Sequence, residues 1–214
     1  HACHKPPIFG HRQGAEALRH ILQPCCDHGI RYLSVYAFSQ ENWSRPDAEV
    51  SDLMQLMAWY LREEVETLLT HDIQLRVTGD TGGLPEATVT LIRQAEQRTA
   101  ACRTLTLNIC LNYGGRQELV KACRRLSAQC LAGTRHPEEI CEATFEAQLD
   151  TAPLPPPDLL VRTGGTMRLS NFMLWQCAYA ELYFTDVLWP DFDASHLHAA
   201  CHAFAERERR YGGR

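Results

Sequence analysis

The stretch "TLTLNICLNYGGRQELVKACRRL", Thr104 to Leu126, changes its period halfway. Its first nine residues form a short, nearly continuous apolar run, the pattern of a strand buried on both faces of a sheet. After the glycine pair the pattern turns helical, so the segment reads as one strand feeding one helix. The same alternation runs outward in both directions. "IRYLSVYAF" precedes the helical "DAEVSDLMQLMAWYLREEVETLL", and "IQLRVTG" precedes "LPEATVTLIRQAEQRTAA". Downstream come "DLLVRTG", "AELYFTDV" and the helical "ASHLHAACHAFAERERR". Alternating elements of these lengths imply right-handed crossovers and an α/β fold whose mostly parallel sheet is flanked by helices on both faces. The proline cluster in "LDTAPLPPPDLL" reads as a rigid connection inside a single domain spanning residues 1–214.

Composition narrows the function classes. The chain of 214 residues is 45% hydrophobic and 22% charged, which suits one domain with a sizeable core. Its net charge of −5 argues against a nucleic-acid binder held by bulk electrostatics, so any phosphate contact has to be local. The ten cysteines, Cys3 among them, form no CxxC pair and are expected as buried, reduced small hydrophobes. His198 and His202, four apart in "HLHAACH", would share a helical face as metal ligands do, but a solvated face explains them as well. No apolar run approaches the roughly 20 residues needed to span a bilayer, and "HACHKPPIFG" is no signal peptide, so a soluble, cytoplasmic protein is expected. The first residue is His1 rather than Met, as in a fragment or a processed product.

Pro46 has the shape of a first helical residue, and Asp47 and Glu49 suit the positive end of the helix dipole. The stripe that follows is Val50, Leu53, Met54, Met57, Leu61, Val65 and Leu68, with Leu56, Trp59 and Tyr60 adding apolar surface outside it. Such a helix either packs deep in a core or lines a greasy cavity, and periodicity alone favours burial.

In open α/β sheets, ligands bind beyond the carboxyl ends of the strands. Three polar stretches follow strands: "YAFSQENWSRP", with Ser39, Glu41, Asn42, Trp43 and Arg45; "NYGGR", with Asn112 and Arg116; and "RTGGTMRLSN", Arg162 to Asn171. A fourth candidate, Glu181, opens the otherwise apolar "ELYF". Arginine forks pair bidentately with phosphate oxygens, glycines admit backbone N–H groups to an anion, and a serine hydroxyl adds a donor. Arg162, Arg168 and Ser170 supply this within nine residues. Taken singly, Gly164-Gly165 could be only a turn, and Arg162 could pair with Asp158 or Glu181. The Asn42 amide is no strong base, but it can orient a substrate through a hydrogen bond.

These residues, with "FGHRQGA" (Phe9 to Ala15), "LNYGGR", "RTGGTMRLSNFMLWQCAYAELYFTDVLWPDF" and "RERRYGG", resemble the cis-prenyltransferases, in particular bacterial undecaprenyl diphosphate synthases. The resemblance implies a homodimer that joins isopentenyl diphosphate to an allylic diphosphate such as farnesyl diphosphate with magnesium as cofactor, and that makes peripheral contact with the inner face of the membrane to release its lipid product. By the same resemblance Arg162, Arg168 and Ser170 grip isopentenyl diphosphate, while His11, Ser39 and Arg45 lie around the substrate diphosphates. Gln40, Glu41, Trp43 and Leu169 complete the substrate-binding set. Asn42 is tied to proton removal, Glu181 to the metal, and the helix after Pro46 becomes a wall of the chain-holding tunnel. "RRYGG" resembles a tail that reaches a partner's site. The sequence also departs from the family pattern. Family members begin with a strand ending in "MDGNGRWA", whose Asp is the principal magnesium ligand, so a sheet with its first strand missing is expected here. Pro7 stands at a frequent arginine position, and Thr166 and Met167 stand where the family has Glu-His. A fragment of an active enzyme is preferred; a non-catalytic subunit and an irregular short-chain coupling enzyme are the alternatives.

Overall fold

The computed structural model describes residues 7–207, with side chains from Arg12 onward. His11 lies on the opening helix with its side chain outside the described residues, and so do the RRYGG tail and Cys3. In chain order the elements are α1 (Pro7–Asp27), β1 (Tyr32–Ser39), α2 (Asp47–Glu63), α3 (Val65–Thr70), β2 (Ile73–Thr78), α4 (Glu86–Thr99), β3 (Leu105–Tyr113), α5 (Gly115–Leu131), α6 (Glu142–Glu146), β4 (Leu159–Arg162), β5 (Glu181–Phe184) and α7 (Ala194–Ala205).

The strand read from "TLTLNICLN" is the middle of a three-stranded sheet ordered β1-β3-β2, in which both pairings are parallel. Burial on both sides accounts for its apolar run: Leu105, Leu107, Ile109, Cys110 and Leu111 are all within 1% of full burial. The single expected sheet is in fact two, because β4 and β5 form a separate parallel pair. The groups are joined by side chains instead of backbone bonds. Tyr36 of β1 stacks on Phe172 with ring centroids 4.6 Å apart, and Cys110, Tyr113, Leu160, Met173 and Cys177 close a second small core there.

The outer edge of β2 is covered by α4, whose Thr99 hydroxyl and Glu96 carboxylate accept from Leu75 N–H and Val77 N–H at 2.9 Å each. Backbone donors on an edge strand are thus satisfied by side chains. Among the described residues no strand pairs with the second edge of β1.

The long helix expected after Pro46 bends at Glu64 and continues as α3. Glu64 turns inward, its side chain 4% exposed, to meet the Arg19 guanidinium at 3.3 Å. Periodicity carried no sign of this, because Val65 and Leu68 keep the apolar stripe in phase across the bend. Two cysteines also depart from expectation: Cys123 and Cys141 are exposed thiols, whereas Cys25, Cys102, Cys110 and Cys177 are buried. His198 and His202 are solvated on α7, and no cluster of metal-binding side chains forms among the described residues.

Candidate active site

Three of the expected stretches meet at the carboxyl end of the larger sheet. β1 runs into a 3-10 turn, Gln40–Ser44, that carries Asn42. The Asn42 Oδ1 accepts the Ser39 backbone N–H at 2.9 Å, which caps the turn and fixes the amide. With its oxygen engaged, the group presents N–H donors outward, suited to orienting a polar atom and not to taking a proton.

Trp43 lines one cavity and is hydrogen-bonded to Asn112, which lines another. Its indole N–H donates to Asn112 Oδ1 at 2.7 Å, and its ring packs edge-on to Phe38. Asn112 holds a left-handed φ of 49° and donates in turn to the Asp80 carbonyl at 2.7 Å. The first is an open cavity of about 560 Å³ lined by Trp43, Val50, Met54, Leu84 and Pro85. A second cavity of about 580 Å³ is lined by acidic as well as basic residues, Asp80, Glu118 and Asp150 with Arg116, Lys121 and Arg124, and Lys121 pairs with Asp150 at 2.9 Å. The apolar helix is thus divided: Tyr60 and Leu61 are packed in the core, and Val50 and Met54 border a cavity.

The loop after β4 is built on unusual backbone. Gly164 and Gly165 have φ of 83° and 67°, and their N–H groups bond to the Val187 and Thr185 carbonyls at 2.8 and 3.0 Å. Ser170, Asn171 and Met173 also have positive φ, between 44° and 63°, and non-glycine residues held this way gather at functional sites. Among the described residues the Arg162 and Arg168 side chains meet no carboxylate, so neither guanidinium is neutralised. The pairing of Arg162 with Glu181 that the sequence left open is not made.

Other expected residues have different surroundings. Arg45 pairs one helical turn on with Glu49 at 2.6 Å. Leu169 packs against the second core beside Tyr36. Glu181 is paired to Leu159 in register, whereas Arg162 is opposite Phe184. The carboxylate therefore lies at the far end of the strand pair, roughly 10 Å along it from the anion loop. Its Oε2 accepts from Arg207 at 2.7 Å. Glu41 points to Asn171, whose Nδ2 donates to its carboxylate at 2.7 Å. Burial pushes the Glu41 carboxyl up, but backbone and side-chain donors outweigh it and hold the group below the usual carboxylate range. Asn171 closes the quoted anion stretch yet drew no role from sequence, since a Ser-Asn pair in a glycine loop reads as ordinary turn chemistry.

The whole arrangement matches known proteins. Residues 1–212 match the prenyltransferase family described as "Putative undecaprenyl diphosphate synthase". The chain belongs to the undecaprenyl diphosphate synthase family. It is 49% identical over 205 residues to the ditrans,polycis-undecaprenyl-diphosphate synthase ((2E,6E)-farnesyl-diphosphate specific) of Salmonella typhimurium, covering 96% of this chain and 81% of that protein. The Escherichia coli K12 enzyme of the same name is 48% identical with the same coverage. Among solved structures, lavandulyl diphosphate synthase from Lavandula x intermedia in complex with dimethylallyl diphosphate superimposes with a TM-score of 0.92 at 37% identity, covering 96% of this chain and 89% of that one. A "probable undecaprenyl diphosphate synthase" from Campylobacter jejuni gives a TM-score of 0.83 at 33% identity, covering 94% and 92%. This prenyltransferase fold accounts for the strand-end placement of the anion loop and for the cavity beside Trp43.

Proposed function

We propose that the protein is a cis-prenyltransferase that condenses isopentenyl diphosphate with an allylic diphosphate, farnesyl diphosphate in the first instance, to a cis-polyprenyl diphosphate such as undecaprenyl diphosphate. The observation that carries this is a pair of arginines that meet no carboxylate among the described residues, Arg162 at the end of β4 and Arg168 beyond the left-handed Gly164-Gly165 turn, with Ser170 two residues further on. An arginine already paired with a carboxylate has its donors and its field engaged, whereas these two leave theirs for a diphosphate. The farnesyl-specific names of the bacterial relatives support the choice of allylic substrate.

In this reaction the allylic C–O bond breaks and diphosphate leaves with the electron pair. The double bond of isopentenyl diphosphate then joins the allylic carbon, and a proton is lost to regenerate an alkene. The chain's own residues hold and orient. Arg162, Arg168 and Ser170 grip the isopentenyl diphosphate; Gln40 lines the second cavity, with Ser39 preceding it in the chain; Trp43, Val50 and Met54 offer the hydrocarbon its surface. The Asn42 N–H groups orient the condensing unit for proton loss to a diphosphate oxygen or water.

Magnesium belongs to the reaction that the resemblance implied, where it would neutralise the departing diphosphate. The described residues do not assemble a cage for it. Magnesium takes near-octahedral oxygen ligands, Glu181 offers one carboxylate already paired with Arg207, and the thioether of Met167 is a poor ligand. A homodimer fits the same proposal: Glu181 lies away from its own chain's anion loop, beside exposed Tyr179 and Leu182, so a second copy would be needed to bring it to a diphosphate. No described helix is long and apolar enough to cross a membrane, and lipid release by peripheral contact at the inner face of the membrane of a cytoplasmic enzyme remains part of the proposal.

One observation favours a second reading, irregular coupling of short allylic diphosphates: the 0.92 superposition on lavandulyl diphosphate synthase. Radiolabelled isopentenyl diphosphate with farnesyl diphosphate and magnesium tests both. Long cis-polyprenyl products support elongation, a branched ten-carbon product from dimethylallyl diphosphate alone supports coupling, and no product from a chain carrying the family's amino-terminal segment would sink the enzyme reading.

A further inference from the structure

Asn171 is the last residue of the anion loop, and it uses its side chain completely. Its Oδ1 accepts the Arg116 backbone N–H at 2.8 Å, and its Nδ2 donates to Glu41 Oε1 at 2.7 Å and to Gln117 Oε1 at 3.0 Å. Its backbone carbonyl accepts the Gly115 N–H at 2.7 Å. Two of these bonds satisfy amides in the first turn of α5, where the helix itself supplies no acceptor. Another reaches Glu41, 130 residues away in the chain, on the turn that also holds Asn42.

The surroundings are shaped to this residue. A Cβ on Gly114 would stand 2.9 Å from Asn171 Nδ2, and one on Gly115 would stand 3.1 Å from the Asn171 carbonyl and 2.8 Å from Leu174. The glycine pair of "NYGGR" therefore serves close approach of the loop. Asn171 itself takes φ 63°, a left-handed backbone that asparagine tolerates better than most residues.

We infer that Asn171 is a positioning residue: by tying the anion loop to the Asn42 turn and to the start of α5, it fixes where the Arg168–Ser170 grip stands relative to the Asn42 amide. It touches no reacting atom and acts through Ser170 and Arg168, one and three residues before it. The catalytic meaning rests on the proposed condensation, whereas the linkage itself does not.

The polarity of the Asn171–Glu41 bond supplies the test. Asn171→Asp sets a carboxylate against the Glu41 carboxylate. Asn171→Asp with Glu41→Gln reverses the bond, the new glutamine amide donating to the new aspartate. The expected result is a kcat lowered roughly 10- to 100-fold in Asn171→Asp, with the KM for isopentenyl diphosphate changed less than about threefold and at least a tenfold recovery in the double variant. A purely scaffolding side chain would give additive losses without recovery, and that outcome, or a KM that rises as kcat falls, overturns the inference. Asn171→Gly keeps the left-handed backbone and deletes only the side-chain bonds, so it repeats the kcat measurement if Asn171→Asp does not fold. Amide hydrogen exchange gives a readout without turnover: the Arg116 N–H should exchange about tenfold faster or more in Asn171→Gly, with the middle of α5 unchanged. If the wild-type chain makes no prenyl product, the proposed function fails while exchange still decides the linkage. If Arg116 exchange is unchanged, the linkage fails whatever the activity.

Discussion

Two polar regions flank the first turn of α5 and differ in how completely they are satisfied. On the inner side the Glu118 carboxylate, 3% exposed, accepts from Tyr113 Oη at 2.6 Å, Gln176 Nε2 at 2.9 Å and Thr151 N–H at 3.1 Å. The Tyr113 hydroxyl is held protonated by burial first and by Glu118 second, and so remains a donor. On the outer side Arg162 ends β4 and Arg168 lies in the following loop, whose Gly164, Gly165, Ser170 and Asn171 take positive φ, and neither arginine meets a carboxylate among the described residues. A buried charge whose donors are complete is scaffold, whereas charges left uncompensated on an over-determined loop are kept for something that arrives later. That difference separates structure from function here better than residue type does, since both regions are rich in conventional site residues.

The comparison breaks first at the arginines. Arg168→Ala should weaken isopentenyl diphosphate binding by about 10²- to 10³-fold, because a charge-assisted, partly desolvated contact is lost. Calorimetric titration should show this with the melting temperature nearly unchanged. A loss of stability instead would mean that the guanidinium is structural after all.

Glu118→Ala should do the reverse. Three buried donors would be left without an acceptor, at a cost of about 3 kcal/mol or more, which lowers the melting temperature by roughly 6–12 °C in a chain of this size. Binding measured on the fraction still folded should be close to wild type. Asn42→Ala comes next: turnover should fall about 10- to 100-fold with diphosphate affinity little changed, since the amide orients rather than holds. Equal losses in kcat and affinity would show that Asn42 belongs to the grip.

The smallest effect lies at the other end of the molecule. Asp193 caps α7, its Oδ1 accepting from Ser195 N–H at 2.9 Å and His196 N–H at 3.1 Å. These donors, the Ser195 hydroxyl foremost, pull its carboxyl down to about 2 from an ordinary 3.8. A depressed carboxyl stabilises the fold above its ordinary value, and the contribution is lost as pH falls from about 4 towards 2. Asp193→Asn keeps the cap without the charge. Thermal melts of the two proteins should differ at pH 5 and converge near pH 2; a constant difference would put the stabilisation elsewhere.

Much of this was legible in the chain, for reasons that differ from residue to residue. The central strand was readable because burial on both faces concentrates apolar residues, Leu105, Leu107, Ile109, Cys110 and Leu111, although Thr106 and Asn108 interrupt the run. The stretch proposed to bind an anion stood out because phosphate recognition needs arginine, glycine and serine close together in sequence. The Asn42 turn was readable from its position after a strand. Glu181 was legible as a candidate, a carboxylate opening an apolar strand, but its place was not: parallel register with Leu159 puts it at the other end of the strand pair from its own chain's loop. The bend at Glu64 escaped because the apolar stripe continues through it, and the partner of the buried Glu64 carboxylate, Arg19, comes from another helix.

The sequence by itself determined the local chemistry: which segments bury on two faces, which on one, and where donors for a phosphate accumulate, because each depends on neighbours within a turn or a strand. Only the tertiary structure decided which of those donors are free. Arg45 is spent on Glu49 within one helical turn, but whether Glu181 is spent on Arg207 and Glu41 on Asn171, while Arg162 and Arg168 meet no carboxylate among the described residues, depends on contacts between separate segments, and a hydrogen bond made across 130 residues leaves no period in the chain.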